Sequence, residues 1–345
     1  KYCVLMFDEI ALSPGLTYNS KTDSVEGFVD HGGPNRRLEF ADHALTFIVK
    51  GIHKKWKQVV CFTFCQGTTS TSDLCKILTD VIRQLRSCGL SIVATISDQG
   101  STNRAAINQL LANTRRDLNV QGRENRLQGY LIDGEEIVHL YDFPHLIKCV
   151  RNLLLYKDLH FEQQGIAKVA SWSHVVRLYE LDKSHGNYYS QFCKLTDEHV
   201  IPAKIKKMKV KNCTQVFSHT VGTAMHAAAR VSTELSTESK FYIDPTSTNT
   251  ADLLLFFYEL FDSVNGELKY PLPGKELRSV VTQNSNHVSF WNSALPILSS
   301  MFFTVPHSNS PIRPPCLKNW VFSIRGLIYL TPKLFAENFK QYAGR

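Results

Sequence analysis

Apolar positions along the chain fall into two textures. Up to about residue 158, short apolar runs alternate with turn residues. Residues 3–10 (CVLMFDEI) predict a buried strand ending in two acids, and Pro14-Gly15 marks the turn after it. Residues 25–29, 44–49 and 59–64 predict three more strands. From Ser70 to Arg86 the apolar residues Leu74, Ile77, Leu78, Val81, Ile82 and Leu85 have helical spacing, with Thr71 or Ser72 as cap and Gly89 as terminator. Residues 90–96 form a further strand that stops at Ser97-Asp98-Gln99-Gly100, and a helix opens near Ser101. A short strand, 137–141, then runs into a helix over 145–156, after a polar stretch 122–134 read as an exposed loop or hairpin. This order predicts a mixed sheet flanked by helices.

Beyond Asp158 strand signals largely vanish and helical patterns take over, at 175–181, 209–231 and 251–264. A Pro- and Ser-rich loop is expected over 304–316, and an apolar helix over 320–330. The change of texture puts a domain boundary near residues 153–160. Trp172, Phe256, Phe257, Phe261, Phe290 and Trp291 are read as core.

Composition narrows the field modestly. The 345 residues carry 39 Lys and Arg against 31 Asp and Glu, a formal charge of +8, which permits a polyanionic partner without requiring one. No apolar stretch is long enough to span a bilayer. Nine cysteines, odd in number and without a Cys-x-x-Cys pair, fit reduced thiols better than a disulfide frame or a zinc site.

Candidate chemistry begins with Asp8 and Asp98, each just after an apolar run. Carboxylates at the ends of adjacent strands can share hard divalent cations for phosphoryl transfer. Equally, Asp98 before Gly100 can cap the following helix. Asp8-Glu9-Ile10, Glu26-Gly27-Phe28-Val29-Asp30, Lys55-Trp56-Lys57-Gln58, Ser97-Asp98-Gln99-Gly100-Ser101-Thr102-Asn103 and Asp142-Phe143-Pro144-His145-Leu146-Ile147-Lys148 follow one another in that order. The ordered set resembles the core of P-element transposases and the related THAP-domain transposases. The resemblance implies an α/β RNase H-like mixed sheet interrupted by a mostly α-helical insertion, with residues 1–153 as core and 154–345 as insertion. It also implies Mg²⁺-dependent DNA cleavage and strand transfer on transposon ends and target DNA in the nucleus, with no membrane association and a homo-oligomeric state left open. Asp8 and Asp98 match the family's first two catalytic acids and metal ligands. Asp142-x-x-His145 resembles an element whose His lies close to the scissile phosphate, although His145 could simply cap its helix. Lys148 and Arg151 share a helix face and could meet a DNA backbone or form a solvated basic face.

The family's insertion binds GTP, yet the chain has no Gly-x-x-x-x-Gly-Lys-Ser/Thr loop. Lys194, Lys209 and Val210 match one part of the family pattern, and Asp262 with Asn265 another. The lysines would neutralise phosphates, and the carboxylate would accept from guanine N1 and N2. Without the resemblance, Asp262 and Asn265 read as a helix end, and the lysines between 204 and 211 as a solvated run. The third acid, expected in a segment like Asn-Gln-Asp-x-x-Glu-Asn, is not found. Ala336-Glu337-Asn338-Phe339 imitates it superficially, and Glu337 is read as a surface residue. The amino-terminal zinc module is likewise not found. The expectation is therefore a fragment that is inactive alone, or a domesticated non-catalytic protein that keeps DNA or GTP binding. An unrelated α/β enzyme is the third alternative.

Overall fold

The computed structural model describes residues 1–32, 36–52, 56–184, 193–305, 310–337 and 339–343. Lys55, Asn338 and residues 306–309 of the loop expected over 304–316 fall outside them. Contacts divide the chain into two compact units: Lys1–Asp142 with Arg325–Phe339, and Phe143–Ile324 with Lys340–Arg345. This division and the sequence-based boundary differ by one helix, 143–154.

The first unit opens with β1 (Tyr2–Ala11), two small hairpins made of β2 (Thr17–Asn19), β3 (Ser24–Glu26), β4 (Phe28–Val29) and β5 (Arg37–Phe40), and then β6 (His43–Gly51) and β7 (Lys57–Cys65). Helix α1 (Thr71–Ser87), β8 (Ser91–Ser97), α2 (Ser101–Val120), β9 (Tyr130–Ile132) and β10 (Glu135–Tyr141) follow. Six strands form one mixed sheet in the order β7-β6-β1-β8-β10-β9. β1, β8 and β10 are mutually parallel, and the outer pairings are antiparallel.

Alternation explains the sheet's two faces. Cys3, Leu5 and Phe7 of β1 and Leu45, Phe47 and Val49 of β6 are buried in one cluster with Leu74, Ile77, Leu78, Val81, Ile82 and Leu85 of α1. Each such side chain stabilises the fold by roughly 1.5–3 kcal/mol. Ser70, rather than Thr71 or Ser72, caps α1: its side chain accepts from the Asp73 amide at 3.1 Å. Inside this core lies a polar cluster. Thr95 Oγ1 is 3.0 Å from the Tyr130 hydroxyl and 3.0 Å from His139 Nδ1, and all three residues are fully buried. Burial holds the His139 imidazole down to about 3. The stretch 122–134, read as an exposed loop or hairpin, ends in β9, which pairs antiparallel with β10 across the turn at Asp133-Gly134; Gly129 feeds it in, and a Cβ there would collide with the Ile137 carbonyl oxygen.

The second unit contains α3 (Phe143–Leu154), β11 (Asp158–Gln163), β12 (Ile166–Ala170), α4 (Trp172–Ser184), α5 (Asp197–Val200), α6 (Val210–Val216), α7 (His219–Ser232) and α8 (Ser247–Asn265). It continues through β13 (Val281–Thr282), α9 (His287–Ser300), β14 (Phe302–Thr304), α10 (Pro315–Ala336) and β15 (Gln341–Tyr342). Three strands, in the order β12-β11-β14, make a small antiparallel sheet that the helical texture of this region concealed. The helix expected over 209–231 is two helices, broken at Phe217-Ser218, where the Ser218 side chain accepts from the Val221 amide. Trp172, Phe256, Phe257, Phe261 and Trp291 are buried, and Phe290 is half-buried. The last turns of α10 return to the first unit. There Tyr329 donates to Glu136 at 2.8 Å, Lys333 pairs with the same carboxylate, and Gly326 lies flat on β10. A Cβ at Gly326 would come within 2.8 Å of Leu140 Cδ2.

Candidate functional site

Register places the acids of the first unit in a row. Met6 pairs with Ile96 and Ile96 with Leu140 across the three parallel strands. Asp8, Asp98 and Asp142 each follow two residues later: Asp8 lies inside β1, opposite Thr46 of β6, whereas Asp98 and Asp142 directly follow the last residues of β8 and β10, and the Asp142 amide donates to the Ser97 carbonyl at 2.8 Å. The three aspartates therefore lie at the same end of three neighbouring strands. Asp8 is exposed, and its Oδ1 accepts from the Glu9 amide at 2.9 Å. Asp98 is half-buried, and its Oδ1 accepts from the Gly100 amide at 2.9 Å and from the Asn103 side chain. Asp98 thus also organises the turn into α2. Among the described residues no three His, Cys, Asp or Glu side chains are grouped to hold a metal. A pair of carboxylate donors still fits Mg²⁺, which keeps several waters and takes one or two protein carboxylates.

In the second unit a cavity of about 650 Å³ is lined by Tyr179, Leu195 to His199, Lys209, Lys211 and Asn212. Its acids are already engaged. Lys204 and Tyr179 bond Asp197 and hold its carboxyl down to about 2, while Lys206 pairs with Glu198. Among the described residues Lys209 and Lys211 have no ion-pair partner. The lysine run therefore splits into members that neutralise Asp197 and Glu198 and members that face the cavity. Burial lowers the His199 pKa; Glu198 opposes this, and the charges of Lys209 and Arg151 add to it. The Thr196 amide donates to His199 Nδ1 at 3.1 Å, which leaves Nε2 as the protonated nitrogen of the neutral ring.

Residues 1–111 match the TNP-like RNase H N-terminal domain, and residues 144–272 match the TNP-like GTP-binding insertion domain. The chain belongs to the P-element transposase family. It is 26% identical over 268 residues to the Transposable element P transposase of Drosophila melanogaster, covering 78% of this chain and 30% of that protein. It is 21% identical over 236 residues to the DNA transposase THAP9 of Homo sapiens, covering 65% of this chain and 24% of that protein. The chain thus spans about 30% or less of the length of these curated relatives. A solved Drosophila P element transposase strand transfer complex shares the fold with a TM-score of 0.74 at 24% identity, over 99% of this chain and 67% of that one.

Within this P-element-type chain, the expected nucleotide residues do not all meet. Lys209 lines the cavity, and Val210 opens α6 beside it. Lys194 is exposed, with φ +51°, and is not itself among the lining residues. Asp262 and Asn265 stand near the end of α8 and do not line that cavity. Burial raises the Asp262 pKa against the nearby Arg278 charge, and the Tyr258 hydroxyl bonds the carboxylate. His145 is half-buried in the first turn of α3.

Lys148 and Arg151 require a correction. Instead of an exposed basic face they form a buried one, because their side of α3 packs on α6. Sequence reasoning also passed over Lys211 and His199, which line the cavity, and gave Asp142 no acid role although it shares the row with Asp8 and Asp98. The strand-end rule that found the first two acids, applied to residues 137–141, would have found the third.

Proposed function

We propose that the chain is the catalytic-core and nucleotide-binding portion of a P-element-type DNA transposase, acting on transposon ends and target DNA in the nucleus. The observation that carries this reading is the register of parallel neighbours β1 and β8, which brings Asp8 within β1 and Asp98 just after β8 to the same end of the sheet. Asp8 and Asp98 would hold Mg²⁺ there. Bound there, the ion supplies charge stabilisation for the attacking and leaving oxygens of an in-line phosphoryl transfer. The chain's own part is positional: the Gly100 amide and the Asn103 side chain fix one oxygen of Asp98, and sheet register sets its spacing to Asp8. His145, at the start of α3, lies close to the scissile phosphate when DNA is bound. GTP is the second ligand. Lys209 and Lys211, free of carboxylate partners among the described residues, neutralise its phosphates. Lys194 and Val210 flank that site, and Asp262 with Asn265 read the base.

Nicking of supercoiled plasmid in Mn²⁺ or Mg²⁺ tests the reading. Residual nicking by the wild-type chain, which carries two of the three family acids, is lost in Asp98→Asn, which retains an acceptor for the Gly100 amide. A second reading, a non-catalytic nucleotide-binding protein, is favoured by the cavity alone, which uses none of the strand-end acids. Tight guanine-nucleotide binding without nicking by the wild-type chain would establish that reading and eliminate the first.

A further inference from the structure

Two positive charges of the second unit lie where a cation is costly. Lys148 is 7% exposed and Arg151 0%. Arg151 donates through Nε to Asn152 Oδ1 at 2.7 Å and through Nη2 to the Lys207 carbonyl at 3.0 Å. Its Nη1 is buried with no hydrogen-bond partner among the described residues. Neither cation pairs with a carboxylate among those residues. Both charges bear on Cys213 of α6, whose thiol burial pushes up to about 12 and whose Sγ contacts the Ile147 carbonyl at 3.5 Å. A buried cation without a counter-charge lowers stability, and an apolar side chain of similar volume would pack α3 against α6 at lower cost. Their placement points to an anion that arrives from outside the chain.

The segment that Arg151 grips identifies that anion. The Lys207 carbonyl lies two residues before Lys209, which caps α6 and, with Lys211, lines the cavity. Arg151 thus holds the main chain two residues from the lining residue Lys209, and its charge also contributes to lowering the pKa of His199, another lining residue. We propose that Arg151 is a positioning residue of the nucleotide loop. It fixes the main chain at Lys207 so that Lys209 and Lys211 face the phosphates of a nucleoside triphosphate, and with Lys148 it sets a fixed positive potential behind them. The inference rests on the nucleotide reading above and moves both residues from a DNA surface to the inner wall of that site. Fixed buried charges act on an anion without reorganising, and their field is screened less than that of surface lysines.

Calorimetric titration of the 345-residue chain with GTP and with GMP tests this, beside a titration with short duplex DNA. The variants are Arg151→Met, Arg151→Lys, Lys148→Met and Lys209→Ala. Arg151→Met weakens GTP at least about tenfold, the scale of a lost charge-assisted contact, and GMP by less than about threefold. Arg151→Lys restores part of the loss, Lys148→Met shows a smaller one, and the melting temperature of Arg151→Met does not fall. A merely structural arginine would leave the GTP-to-GMP ratio unchanged. Unaltered GTP affinity in both Met variants, with a wild type that binds, overturns the proposal and leaves the nucleotide reading standing. A wild type that does not bind GTP overturns both. Loss of DNA binding at unchanged GTP affinity returns the pair to DNA and overturns the proposal. If Arg151→Met does not fold, Arg151→Lys and Lys148→Met decide it: a loss of GTP affinity in both supports the proposal, and wild-type affinity in both overturns it.

Discussion

The two units place charge in opposite ways. In the first, carboxylates stand at one end of the parallel β1–β8 ladder: Asp8 is exposed, Asp98 half-buried, and both are aligned by the register that builds the sheet. In the second, cations lie inside: Lys148 and Arg151 are buried behind a loop that presents Lys209 and Lys211. The first arrangement costs little to fold, because water solvates the acids until a cation arrives. In the proposed reading the second carries its cost without ligand and recovers it when an anion binds. A strand end therefore suits a metal that comes with its own hydration, and a buried pair suits a ligand that must be discriminated by charge.

Breaking the contrast at its largest point means removing an acid. Asp98→Asn is expected to cut divalent-dependent nicking at least about 100-fold while leaving the melting temperature within a few degrees. Nicking at the wild-type rate would detach the acid row from the chemistry. Next comes the first unit's own buried ionisable group. The folded state keeps His139 neutral down to about pH 3, whereas the unfolded chain takes a proton near pH 6.5. Between those values only the unfolded state binds the proton, so stability falls as pH falls, by on the order of 1.4 kcal/mol for each pH step of one. Denaturant midpoints from pH 7 to pH 5 should show this slope, and His139→Leu should flatten it; an equal slope in the variant would assign the acid sensitivity elsewhere.

Gly326→Ala tests how closely the last turns of α10 seal the first unit. The added methyl meets Leu140 Cδ2 at 2.8 Å, and overpacking of this kind costs about 1–3 kcal/mol by urea unfolding. A neutral result would mean that the helix shifts freely over β10. The smallest effect belongs to Arg83→Ala. Its pair with Asp133 at 2.7 Å is half exposed on both sides, so a loss of no more than about 1 kcal/mol is expected. A larger one would show that surface pairing, rather than the core, holds α1.

The sequence revealed those elements whose period matched their environment. The buried face of β1 and the spacing of Leu74 to Leu85 could be read directly, and so could the strand that stops before Asp98, whereas β1 runs past its two acids to Ala11. β11 and β12 were hidden because half-exposed strands such as Ile166–Ala170 have only a weak apolar signal. α9 was hidden by Pro296 in its interior. The lysine run between 204 and 211 looked uniform, and only tertiary pairing with Asp197 and Glu198 separates Lys209 and Lys211 from it. The spacing of Lys148 and Arg151 indicated a shared face correctly, but no local pattern states whether such a face meets water or another helix.

The closing segment 325–339 follows the rest of its unit by the whole of residues 143–324. A ribosome adding about 5–20 residues per second needs on the order of ten seconds or more to cross that interval. Throughout it, the apolar stretch at Val138 and Leu140 waits for the turn of helix bearing Gly326. A nascent chain of this design leaves that apolar face uncovered until the end of α10 has been made.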